Sequence, residues 1–238
     1  MNEHRSRDEV PSYPDMALAD LLESFSDATP APGGGGAAAV AVALAASLCA
    51  MTARLSSRQI HDAPEIAGEA LSIRDAIIPL CEQDARTYLD VIAARRLPGS
   101  PEPGSPELGS PEAATADPDD RRQRVAEALS RASDVPMATA EAGTRLAHLA
   151  ARLALEGNPN LRGDAFVAAA LAGAGVEAAV TLARINLAQD PGDDRHVRAR
   201  ALLEETTGWV DRARLATAEP SGSDPGRLAT PSRTVPRR

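Results

Sequence analysis

The chain contains no lysine, so all 25 of its basic residues are arginine, and 34 Asp and Glu leave a formal net charge of -9. Aromatics are nearly missing as well: one Trp, two Tyr and two Phe in 238 residues. Sandwiches and barrels fill their pleated surfaces with β-branched and aromatic side chains, so this composition disfavours an all-β fold. It also argues against nucleic-acid binding, which needs a basic face and aromatic platforms for unpaired bases. Cysteine is sparse: Cys49 and Cys81 show neither CxxC nor Cys/His spacing, so no disulfide framework or zinc site is expected. That usage fits a reducing, cytoplasmic setting. His4, His61, His148 and His196 show no ligand spacing either, and no metal is expected. The opening MNEHRSRDEV has no apolar stretch behind its charges, so it does not read as a signal peptide.

What the chain has in excess is alanine, 49 residues of it. Alanine and leucine are the best helix formers, and the length is ample for a buried core. The fold class expected is all-α, a single-domain bundle of about six helices with two long antiparallel ones. Residues 1–14 read as a flexible arm, 15–215 as the helical domain and 216–238 as a disordered, proline-punctuated tail. An amphipathic helix fits Asp15 to Ser26, and an Ala/Val/Leu helix, apolar all round, fits Ala37 to Leu55. Its strictly apolar part is shorter than the ~20 residues a bilayer requires, so a buried soluble helix is the better reading and no membrane partner is expected. Asp62 as cap and Pro64 then start a long helix to about Arg96, with a kink at Pro79. GSPE recurs at 99, 104 and 109, and residues 98–120 read as a disordered surface loop. A second long helix from Arg121 to Glu156 bends at Pro136. Asp164 caps another Ala-rich helix to about Leu187, where Gly173 and Gly175 allow close backbone approach. A last helix runs from about Asp194 to Leu215.

Three segments are candidates for chemistry. The run Gly33 to Gly36 leads into a helix, where backbone N–H groups can meet an anion. No Lys-Ser/Thr follows it and no strand precedes it, so neither nucleotide fingerprint is met. A plain hinge and a carboxylate-binding helix start remain open. Asp84 and Tyr88 lie four residues apart on one helix face; such a pair is ordinarily a solvated stripe, and Asp84 serves as a general acid or base only where burial raises its pKa from ~3.9. The third is Gly157-Asn158 through Asp164, with Arg184 and Asn186. Arg184, late in an apolar helix, either pairs internally, for example with Glu177, or faces a ligand.

Thr29-Pro30-Ala31-Pro32-Gly33-Gly34-Gly35, Asp84-Ala85-Arg86-Thr87-Tyr88, Leu97-Pro98, Val135-Pro136, Gly157-Asn158, Asp164 and Arg184-Ile185-Asn186-Leu187 occur in this order across residues 15 to 212. This ordered set resembles the cyclodeaminase/cyclohydrolase family, which includes formimidoyltetrahydrofolate cyclodeaminase domains and methenyltetrahydrofolate cyclohydrolases. The resemblance implies an all-helical homodimer acting on a tetrahydrofolate derivative, with no cofactor beyond that substrate. It makes Asp84 the catalytic acid/base and assigns substrate binding to Gly33, Gly34, Gly35, Tyr88, Arg96, Asn158, Asp164, Arg184 and Asn186. Ammonia loss and water addition use the same residue types, so deaminase and hydrolase stay undivided. The chain departs from the family at several polar positions. Arg96 stands where members carry Lys, Gly36 and Gly163 where they carry Ser, and Leu182 where they carry Asn. A helical dimer that binds folate or a partner without turnover is therefore the rival reading.

Overall fold

The computed structural model describes residues 12–96 and 118–218, and the description is confined to these. They form seven α-helices: α1 (Leu18–Ser26), α2 (Gly34–Arg54), α3 (Ala63–Arg95), α4 (Pro118–Ala132), α5 (Asp134–Glu156), α6 (Arg162–Asn186) and α7 (Arg195–Ala218). Two short 3-10 turns, Tyr13–Asp15 and Pro159–Leu161, complete the order, and no strand occurs among the described residues. The all-helical bundle expected from composition is the observed architecture.

α2 is the central element, packed against α3, α5 and α6. Its buried face is almost entirely Ala and Gly, which lets neighbouring backbones come close. The closest approach surrounds Val42. A Cβ on Gly175 of α6 would lie 2.6 Å from Val42 Cγ2 and 3.1 Å from the Ala38 carbonyl oxygen. One on Gly143 of α5 would lie 2.6 Å from Val176 Cγ2 and 3.3 Å from Val42 Cγ2. The expected role of Gly173 also holds, since a Cβ there would meet Val210 Cγ2 of α7 at 2.8 Å. The main core cluster draws on both sides of residues 97–117, with Ala39 and Val42 before them and Leu146 and Ala168 after.

The two long helices α3 and α5 run antiparallel. Asp62, at the head of α3, receives two hydrogen bonds from the Arg152 guanidinium at 2.6 and 2.8 Å near the end of α5. One heptad on, Glu69 pairs with Arg145, one heptad back. This contact also corrects Asp62: it occupies the N-cap position, but its carboxylate caps nothing and is spent on Arg152. At the far end of α3, Val91 packs on Ala128, Leu129 and Ala132 of α4, and the Arg121 guanidinium donates to the Arg95 carbonyl at 2.7 Å.

Other boundaries also differ from expectation. The helix expected over 121–156 is two, because the chain turns at Ser133, and this raises the count from six to seven. Arg195 of α7 secures that junction, donating to the Ser130 carbonyl (2.9 Å) and hydroxyl (2.6 Å) and to Asp134 (2.7 Å). Pro136 lies in the first turn of α5, where a missing N–H loses no helical bond. α3 includes Pro79 within a single helix to Arg95, which is the extent expected for it. Tyr13, placed in the flexible arm, is 4 % exposed and belongs to the core, as does Ala216, placed in the tail. The expected loop gives up residues 118–120 to α4, and its remainder, with most of the arm and tail, lies outside the described residues. α2 begins at Gly34, so it is 21 residues long. It and the 159–186 segment are therefore long and apolar enough to cross a bilayer, with 56% and 44% of their apolar stretches buried in the bundle.

Candidate functional site

The glycine run is the first turn of α2 as well as a turn before it, because Gly34, Gly35 and Gly36 are already helical. First-turn N–H groups have no partner within their own helix and carry the positive end of the helix dipole. Asp84 of α3 meets them: its Oδ2 accepts a hydrogen bond from the Gly36 N–H at 3.1 Å. The fit is steric too. A Cβ on Gly35 would lie 2.0 Å from Asp84 Oδ1, and one on Gly36 would lie 2.9 Å from Cys81 Sγ. Only glycine leaves room for the carboxylate at this crossing of α2 and α3.

Burial pushes the Asp84 carboxyl above the usual carboxylate range, and the Gly36 N–H opposes that rise only in part. Tyr13, behind it, is raised by burial and by the charges of Cys81, Glu82 and Asp84. Burial, assisted by Asp84 and Glu82, pushes the Cys81 thiol up to about 11, which keeps it protonated and unsuited to nucleophilic attack. Asp84 is thus the carboxylate of this crossing whose hold on a proton the fold strengthens.

In front of Asp84 opens a cleft of about 410 Å³. Its walls come from the Pro30–Gly35 segment, from Asp84, Thr87, Tyr88, Val91 and Arg95 on α3, from Leu129 and Ala132 on α4, from Pro136, and from Leu182, Ile185 and Asn186 on α6. Of the residues singled out from sequence, it unites Gly33, Gly34, Gly35, Asp84, Tyr88 and Asn186. The Asn186 side chain donates to the Ala132 carbonyl at 3.1 Å, holding the end of α6 to α4.

The other four do not line it. Asn158 caps the 3-10 turn, accepting from the Asn160 N–H at 3.1 Å. It also ties that turn to the end of α2, through Ser56 Oγ (3.0 Å) and the Leu55 carbonyl (3.2 Å). Asp164 is the third residue of α6 and not its cap. At 1.5 Å per residue it lies about 33 Å along the helix from Asn186. Asn158 and Asp164 both occupy the end of the bundle opposite the glycine turn. Arg184 is exposed, off the cleft, and forms no ion pair with Glu177 or any other described acid. Arg96 is not among the residues that line the cleft, whereas its neighbour Arg95 is.

Thr87, Val91, Arg95, Leu129, Ala132, Pro136 and Ile185 were not singled out from sequence as site residues. For α3 the signal was available: 84, 88, 91 and 95 follow one helix face at i, i+4, i+7 and i+11. The α4 and α6 residues carry no such signal, because only packing brings them to α3. Among the described residues no cluster of three or more His, Cys, Asp or Glu is arranged to hold a metal ion.

The cleft lies within the part of the chain that relatives share. The structure is similar to the crystal structure of formiminotetrahydrofolate cyclodeaminase from Thermotoga maritima, with a TM-score of 0.68 at 22% identity over 85% of this chain and 96% of that one. At that identity the likeness concerns the fold. No curated protein gives a significant match. Residues 17–203 match the formiminotransferase-cyclodeaminase family, a span that includes the glycine turn, Asp84 and every other wall of the cleft. With most of its length in that match, the chain belongs to the formiminotransferase-cyclodeaminase family.

Proposed function

We propose that the protein is a folate one-carbon enzyme that acts on formimidoyl- or methenyl-tetrahydrofolate, with Asp84 as its general acid/base. The observation that carries this reading is the half-buried Asp84 carboxylate, held against the first turn of α2 and open to the cleft. In cyclodeamination, folate N10 attacks the formimidoyl carbon on N5, the methenyl bridge closes and ammonia leaves. In cyclohydrolysis, water adds to the bridge carbon and the ring opens. Each reaction takes a proton and returns one at a single carbon centre, which a desolvated carboxylate can do. The glycine turn lets a flat ligand approach the backbone, and Tyr88 and Asn186 supply polar contacts beside it. No further cofactor is required, and a cytoplasmic setting fits the reduced, buried cysteines.

We also assign the active form as a homodimer. α2 leaves Leu44 (57 % exposed), Met51 (38 %) and Leu55 (56 %) uncovered at spacings that place them on one face. A second copy is the occupant expected there.

The deciding experiment assays formimidoyl- and methenyl-tetrahydrofolate side by side with wild type and Asp84→Asn. Turnover of one substrate, lost in the variant with an unchanged helical CD spectrum, is the expected result and separates deaminase from hydrolase. Equal rates in wild type and variant would remove Asp84 from the mechanism. One observation favours binding without turnover: Leu182 presents an apolar side chain to the cleft where the family carries Asn. Micromolar binding of both folates with no product would establish that reading instead.

A further inference from the structure

The cleft is electrically asymmetric along its length. Among its described walls Asp84 is the single carboxylate and Arg95 the single cation. They lie on one face of α3, eleven residues apart, which is about 16 Å along the axis at 1.5 Å per residue. Val91 lies on the face between them, packed on Leu129 of α4, and both are apolar. Unlike Arg145, Arg152 and Arg195, which are spent on acids of neighbouring helices, the Arg95 guanidinium has no acidic partner among the described residues. Its backbone is nevertheless anchored, because its carbonyl accepts from Arg121. That bond also brings a second guanidinium close to this end of a cleft in a chain of net charge -9.

We propose that Arg95 binds the terminal carboxylate of the substrate's tail and so determines which end of the ligand lies against Asp84. The inference rests on the folate reading above and adds to it a direction of binding. Tetrahydrofolate carries its reacting nitrogens at one end, an aminobenzoyl ring in the middle and glutamate carboxylates at the other. The cleft offers a carboxylate with backbone N–H groups, an apolar stretch and a guanidinium in the same order. A planar guanidinium can engage a carboxylate through two parallel hydrogen bonds, which fixes orientation as well as attraction.

The test measures calorimetric binding of 5-formyltetrahydrofolate and of 5-formyltetrahydropteroate, which lacks the glutamate, to the full chain. Wild type should prefer the glutamate-bearing ligand by about tenfold or more, the scale of one charge-assisted contact. Arg95→Leu should reduce that preference to about one without changing affinity for the pteroate, and Arg95→Lys should restore part of it. A preference that persists in Arg95→Leu, or an equal loss for both ligands at unchanged helical CD, overturns the role of Arg95 and leaves the folate reading standing. Failure of wild type to bind either ligand overturns the folate reading, and this inference with it.

Discussion

Asp84 and Gly35 function as a pair, since the carboxylate occupies the space that any other residue at position 35 would fill. Gly35→Ala should displace the carboxylate and overpack the α2/α3 crossing, with a loss of about 1–3 kcal/mol in denaturant unfolding and near-complete loss of turnover. A variant of wild-type activity would show that the contact does not position the acid. Asp84 also makes stability depend on pH. Because burial raises its folded pKa above the unfolded value, its favourable contribution is fully present below the unfolded pKa and fades as pH rises through the raised one. Asp84→Asn keeps the shape and an acceptor for the Gly36 N–H without the charge. Thermal melts should therefore show the variant gaining on wild type from acid to neutral pH. A constant difference across that range would indicate an unshifted carboxyl. If Asp84 acts as base, the acid limb of the rate profile should fall above the ordinary carboxylate range.

Small residues decide how the helices meet. Gly175→Ala should drive its methyl into Val42 and the Ala38 carbonyl and cost about 1–3 kcal/mol. Gly68 of α3 has open space around it, so Gly68→Ala should stabilise by about 1 kcal/mol through helix propensity alone. Melting temperatures moving in opposite directions would confirm that Gly175 is there for packing and Gly68 is not. Helix periodicity was legible at this scale, and the ends were not. The break at Ser133 depends on Arg195, more than sixty residues later, bonding Ser130 and Asp134. Asp62 looked like a cap because its local sequence suits one, yet Arg152 of α5 takes its carboxylate.

At the scale of the molecule, the exposed stripe on α2 predicts association. Sedimentation should give twice the 24.7 kDa chain mass for wild type, and Leu44→Glu should shift it toward the monomer. A monomeric wild type would contradict the dimer, and partition into membranes would assign the stripe to lipid. The sequence by itself determined the all-helical class, through its alanine and its missing aromatics, and it placed Asp84 and Tyr88 on one helix face. These follow from local spacing and composition. Only the tertiary structure decided that Asp84 is half-buried against Gly36, that Asn186 and not Asp164 lines the same cleft, and that Arg95 and not Arg96 is one of its walls. Whether a side chain faces a cleft depends on where other helices cross, and that is set by packing between residues far apart in the chain.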